Sequence, residues 1–223
     1  MDFFRWQKPR PDNGLDQSRD PRSLRRNPLV WIAVIGAIVL YTQTEDNSLF
    51  GNFTDAQNPK VQLNDVGGPF TLTDHTGQRV SDQDFRGRFM LVYFGYSYCP
   101  DVCPTDLLVM SHAVDMLGDA GERVQPIFIT VDPARDTVAS LANYVPNFHP
   151  RLKGLTGSEA EIAAAAQAYK AYFKLGEEKE APDDYLVEHT EIIYLMSPDG
   201  EFLDHFQRGL RPAEIAQLIG QHL

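Results

Sequence analysis

The chain has 223 residues, 43% of them apolar and 23% charged, which is the make-up of one globular domain with room for an appendage. Its formal net charge of -11 excludes nucleic acid as the main partner, because phosphate contacts need clustered Lys and Arg. Two cysteines cannot build a disulfide scaffold, and alone they cannot complete a four-ligand zinc site.

The charge is unevenly placed. Residues 1–28 hold seven basic and four acidic residues, whereas residues 45–223 hold 13 basic and 27 acidic ones. Residues 28–44 (PLVWIAVIGAIVLYTQT) carry no charge at all. Their length is at the short end of what spans a bilayer. Arg25 and Arg26 precede the segment, Glu45 and Asp46 follow it, and Trp31 and Tyr41 stand near its ends as interfacial aromatics do. A cleaved signal peptide would have a shorter leader and a small-residue cleavage site. A mitochondrial transit peptide would lack Asp2, Asp12, Asp16 and Asp20. The expectation is an uncleaved anchor: a basic cytoplasmic segment at 1–27, a transmembrane helix at 28–44, a polar linker at 45–64 and a soluble domain at 65–223. The basic flank puts that domain on the periplasmic side of a bacterial cytoplasmic membrane.

Residues 70–83 read as a short hairpin turning at Thr76-Gly77. Residues 88–96 (RFMLVYFGY) form a nearly unbroken apolar run, the pattern of a central strand buried on both faces. Residues 104–117 repeat apolar positions at helical spacing, with Pro104 suited to the first helical position. A second buried strand is expected at 124–131 and a helix at 137–145. Ser158 to Glu161 forms a capping box that opens an alanine-rich helix to about Leu175. Strands at 190–196 and 201–206 flank the turn Ser197 to Gly200, and residues 212–222 close the chain as a helix. This alternation predicts an α/β sheet with helices on both faces.

Both cysteines lie in CPDVCP, between the first buried strand and the helix after it. That is the carboxyl end of a central strand, where α/β sheets place their chemistry. A helix amino terminus favours thiolate, the form that attacks disulfides and binds soft metals. Four-residue spacing stacks Cys99 and Cys103 on one helical face with Cβ atoms about 5–6 Å apart, wider than the roughly 3.8 Å of a disulfide. A metal between two sulfurs tolerates that width. The spacing therefore favours a chelate over exchange chemistry or an inert bridge without excluding either.

A third ligand is needed. Among His75, His112, His149, His189, His205 and His222, His189 is the best placed, because it ends a loop just before the TEIIYLM strand. Two soft thiolates with an imidazole suit copper, while zinc would want a fourth ligand. Residues 177–188 hold six carboxylates and one lysine. They read as a solvated loop, or as a docking patch or gate that carries His189.

The motifs GGPFTLTDHTG, YFGYSYCPDVCPTDL, ITVDPARDT, LKGLTG and DYLVEHTEIIYLMSPDGEFLDHF together resemble those of the Sco/SenC/PrrC family of membrane-anchored, thioredoxin-like copper proteins. The resemblance spans residues 66–208 and includes the anchor plan. It implies a thioredoxin-like fold with an N-terminal hairpin extension and a copper site, for Cu(I), Cu(II) or both, on Cys99, Cys103 and His189. It also implies a role in assembling the binuclear copper site of cytochrome c oxidase. The implied partners are the copper-site subunit of the oxidase, a copper donor protein and a thiol reductant. Asp132, the first Asp of the VDPxRDT motif, is a candidate for supporting the site from behind or docking a partner, and otherwise caps a turn; Arg135 and Asp136 are expected to pair with each other. Ordinary thioredoxins carry a cis-proline before the strand that faces the redox pair. His189-Thr190 stands there in this chain, which favours copper. Glu188 replaces the Asp common before the family histidine and keeps its charge. The alternative function is a membrane-anchored thiol-disulfide reductase, in which Cys99 and Cys103 are catalytic; a copper or redox sensor ranks behind it, since no signalling domain is evident.

Overall fold

The computed structural model describes residues 66–177 and 185–223, together with Trp31, Ile32 and Ile35. The chain divides into two units, Met1–Pro59 and Lys60–Leu223. In the first, Trp31, Ile32 and Ile35 are helical and exposed; the rest of the expected span at 28–44 lies outside the described residues, as do the linker and residues 178–184 of the acidic loop. Among the described residues no helix is long and apolar enough to cross a membrane.

In the second unit, strand β1 (Thr71–Asp74) turns into β2 (Arg79–Ser81) as the expected antiparallel hairpin. The turn needs positive φ at Gly77, +86°, which costs glycine little. Strand β3 (Phe89–Gly95) is buried along its whole length. Helix α1 (Val102–Met116) follows, then β4 (Val124–Thr130), equally buried, and helix α2 (Val138–Tyr144), capped by the Thr137 hydroxyl. Strand β5 (Lys153–Thr156) leads to helix α3 (Glu159–Ala168), which opens with the predicted capping box of Ser158 and Glu161. Two short strands, β6 (Phe173–Leu175) and β7 (Val187–His189), form a separate ribbon. The hairpin β8 (Ile192–Met196) and β9 (Phe202–Gln207) and helix α4 (Pro212–Gly220) complete the unit.

The main sheet has the order β2-β1-β5-β4-β3-β8-β9. Strands β3, β4 and β5 run parallel, and the hairpins add antiparallel strands at both edges. Alternation along β3 sorts the layers. Tyr93 and Phe128, paired across β3 and β4, point to one face, where they meet Asp106 of α1 and Tyr144 of α2; α4 packs on α1 there. Phe94 points to the other face and meets Tyr194 and Tyr169, the latter just beyond α3. Helices thus cover both faces, as the unbroken apolar strands require. Leu91, Val92 and Tyr93 are fully enclosed, each side chain contributing about 1.5–3 kcal/mol by leaving water.

Two of the boundaries that differ from expectation bear on the site. Helix α1 begins at Val102, so Pro104 is its third residue. No hydrogen bond is lost, because first-turn amides have no partner within the helix. Helix α3 stops at Ala168 rather than near Leu175. Lys170 adopts φ +55° and the Ala171 amide bonds back to the Ala166 carbonyl, which closes the helix. The following residues pair with β7 instead.

Candidate metal centre

The two cysteines stand on the carboxyl end of β3. Beyond Gly95 the chain turns sharply, with the Cys99 amide donating to the Tyr96 carbonyl at 3.3 Å. The turn is anchored from below by Asp136, which is fully buried. Its carboxylate accepts from the Ser97 amide at 2.9 Å, the Ser97 hydroxyl, and the Thr130 hydroxyl at 2.6 Å. Cys99 lies outside α1 and is half-buried, whereas Cys103 sits in the first helical turn and is buried. The Cys103 amide donates to the Cys99 sulfur at 3.4 Å. Gly95 makes room for this arrangement: a Cβ there would stand 2.9 Å from the Cys103 sulfur and 3.1 Å from the Phe128 ring.

His189 arrives on the β6–β7 ribbon. It pairs with Phe173, and the ribbon end is tied by the Thr190 amide to the Tyr172 carbonyl at 2.9 Å. Its Nε2 lies 3.2 Å from Cys103 Sγ, and its Nδ1 lies 3.1 Å from the Thr190 carbonyl. A carbonyl only accepts, so the proton is assigned to Nδ1, which leaves the Nε2 lone pair facing the sulfur. The donor atoms of Cys99, Cys103 and His189 all lie within 4.8 Å of one another. Tyr93 and Tyr96 meet the imidazole edge-on, with ring centroids 6.1 and 5.8 Å away.

The electrostatics correct one expectation. Burial pushes the Cys103 thiol well above its ordinary range, against the stabilising backbone hydrogen bond at Tyr96. A soft cation would reverse this by displacing the proton and neutralising the thiolate in place, so the donor set fits such an ion. Behind Cys103, the Tyr93 hydroxyl donates to Asp106 at 3.1 Å. Burial raises both groups above their usual ranges. In front lies an open cleft of about 510 Å³, lined by Cys99, Val102, Leu175, Leu186 and His189 among others.

Asp132 does not join the three donors. It is buried, pairs with Arg135 and accepts the Tyr185 hydroxyl at 2.9 Å. Arg135 therefore pairs with Asp132 and not with Asp136, whose oxygens are taken by Ser97 and Thr130. Among the described residues no other histidine joins the cluster: His112 is exposed, and His149 is buried, accepting the Arg151 amide at 3.0 Å. Sequence reasoning passed over Gly95, Tyr96 and Tyr185. The aromatic run YFGYSYC around the first cysteine was the available signal for the first two.

A thioredoxin-like sheet with two thiols at the end of its central strand and an imidazole from a side ribbon defines a class of protein that holds a soft metal ion. The SCO1/SenC family model matches residues 58–223. The mitochondrial SCO1 homologue of Homo sapiens is 47% identical over 160 residues, covering 71% of this chain and 53% of that protein. Bradyrhizobium japonicum ScoI, solved with copper bound, is 43% identical with a TM-score of 0.66, covering 71% of this chain and 99% of that one. BsSco, described through a disulfide switch and as a member of the Sco family of cytochrome c oxidase assembly proteins, is 26% identical with a TM-score of 0.55, covering 71% and 92%. This chain belongs to the SCO1/SenC family. It spans about half the length of the human relative it matches.

Proposed function

We propose that this chain is a membrane-anchored copper carrier that serves assembly of the binuclear copper site of cytochrome c oxidase. Copper, as Cu(I) or Cu(II), is its cargo, held by Cys99, Cys103 and His189. The observation that carries the reading is the convergence of two sulfurs and one lone-pair nitrogen within 4.8 Å. That donor set selects soft, low-coordinate ions, and the copper-bound Bradyrhizobium relative supports the choice. Cys99 is the more accessible residue of the pair and lines the open cleft. It is the ligand an incoming partner thiol can replace first, so the ion passes by ligand exchange. Reduction by a thiol partner keeps the pair able to bind, and a copper donor protein loads it. The anchor is the uncharged segment 28–44, with the basic leader cytoplasmic and the metal domain periplasmic; the charge step across the segment supports this orientation.

A second reading is thiol-disulfide reduction, favoured by two free cysteines four residues apart and by the disulfide switch described for BsSco. Cys99 thiolate would attack a target disulfide and release one target thiol. Cys103 thiolate would then attack the mixed disulfide, releasing the second thiol and leaving a Cys99–Cys103 disulfide.

Copper titration of the reduced full-length chain without oxygen, beside His189→Ala, separates the two. The carrier binds one tight equivalent, with sulfur-to-Cu(II) charge-transfer bands that weaken or vanish in the variant. Binding indifferent to His189, or no tight binding, overturns the carrier. A reductase keeps its thiol activity in His189→Ala.

A further inference from the structure

The third ligand comes from a ribbon outside the main sheet, so something must hold it against the cysteines. Among the described residues strand β7 pairs with β6 alone, and three-residue strands are marginal by themselves. One side chain that spans the gap is Arg135, in the loop between β4 and α2. Its side chain is only 6% exposed.

Arg135 touches both arms of the site. On the histidine side, its guanidinium carbon lies over the Tyr185 ring, 3.7 Å from the centroid, and it donates to the Tyr185 carbonyl at 2.9 Å. On the cysteine side, the same guanidinium lies 4.9 Å from the Tyr98 ring and 5.6 Å from the Tyr96 ring. Tyr96 in turn meets the His189 imidazole edge-on. Asp132 fixes the assembly: it pairs with Arg135 and accepts the Tyr185 hydroxyl. Three tyrosines and one carboxylate thus converge on one arginine. Only a planar, delocalised cation can stack on rings and donate in its plane at once.

We propose that Arg135 is a positioning residue, a latch that holds the Tyr185–His189 segment in register with Cys99 and Cys103, and that release of this latch frees the third ligand. The consequence for copper rests on the carrier reading above; the mechanical consequence does not. With the latch closed, two sulfurs and one nitrogen face the ion. With it open, the two sulfurs remain and His189 withdraws, which leaves a coordination position to an incoming ligand. Asp132 and Tyr185 act through Arg135, to which both are tied.

The test uses the full-length chain with Arg135→Lys, which keeps the charge beside Asp132 but loses the planar guanidinium, and Tyr185→Phe, which removes the hydroxyl bond to Asp132. Amide hydrogen exchange on the metal-free protein is the first readout. Faster exchange at Val187, Glu188 and His189, with β3 and β4 unchanged, is expected. The second readout is loss of Cu(II) to a soluble chelator. It should quicken about tenfold or more in Arg135→Lys, the scale seen when a supporting partner of a metal ligand is removed, and less in Tyr185→Phe. Combined with His189→Ala, Arg135→Lys should add nothing further to copper loss, since its effect passes through the histidine.

Unchanged exchange in the ribbon overturns the latch. So does faster exchange throughout the sheet, which would make Arg135 a strut of the core. Additive copper loss in the double variant overturns it too, by placing the effect on the cysteines. If Arg135→Lys does not fold, Tyr185→Phe decides by the same exchange criterion. If the unaltered chain takes up no copper, the carrier reading falls and the exchange result still judges the latch.

Discussion

The two arms of the metal centre are built to different standards. The cysteine arm grows from a strand paired on both sides and buried throughout, and its turn is bonded to a buried carboxylate. The histidine arm is a two-stranded ribbon that enters the core through Val187 and Phe173 and is tied further by ring stacking and Arg135. Local stability follows buried contacts and satisfied hydrogen bonds. A carrier gains from the contrast: one arm keeps the ion while the other lets it go.

The sharpest way to break the contrast is to loosen the strong arm. Asp136→Ala strands the Ser97 amide and two hydroxyls in the interior. It should cost about 3 kcal/mol by chemical denaturation and weaken copper binding with it; a variant as stable as the parent would remove the reason given for the rigid turn. Gly95→Ala comes next. The added methyl meets Cys103 Sγ, Tyr93 and Phe128 at 2.9–3.1 Å. It should cost about 1–3 kcal/mol and shift the charge-transfer bands of bound Cu(II). Unshifted bands would mean the sulfur is free to move.

A region remote from both arms supplies a control. Burial pushes the Asp74 carboxyl up, but bonds from Thr76, Lys153 and Gln78 outweigh it and hold it well below the usual carboxylate range. Its stabilisation is therefore whole above pH about 4, near the unfolded value, and is lost as pH falls toward the folded one. Asp74→Asn should cost about 2 kcal/mol at neutral pH, flatten the acid limb of the stability curve and leave copper affinity unchanged. A change in affinity would show that the hairpin is coupled to the site. The smallest effect belongs to Arg79→Ala, which removes an exposed bridge to Glu161. Less than about 1 kcal/mol is expected, shrinking further with added salt.

Much of the strong arm was legible in the sequence. A short run such as FMLVYFG has the pattern of a strand buried on both faces, and paired cysteines after it mark the site. In the weak arm His189 was legible, but the ribbon that carries it was not. Phe173–Leu175 continues an alanine-rich helical pattern, and only its pairing with Val187–His189 turns it into strand. Such pairing is tertiary and leaves no local periodicity. The partner of Arg135 was hidden for a related reason: Asp132 and Asp136 both stand within reach along the chain, and the buried hydroxyl partners that claim Asp136 become visible only once β3 and β4 are side by side. The thiol of Cys103 shows the same limit, since its helix position is local but the burial that raises it is not.

The most direct measurement is copper K-edge X-ray absorption on the Cu(I)-loaded full-length chain. Two sulfurs at about 2.3 Å and one imidazole nitrogen at about 2.0 Å, by analogy with thiolate and imidazole bonds to zinc, are the expected shell. A shell without the imidazole nitrogen, or with a single sulfur, would contradict a centre built from Cys99, Cys103 and His189.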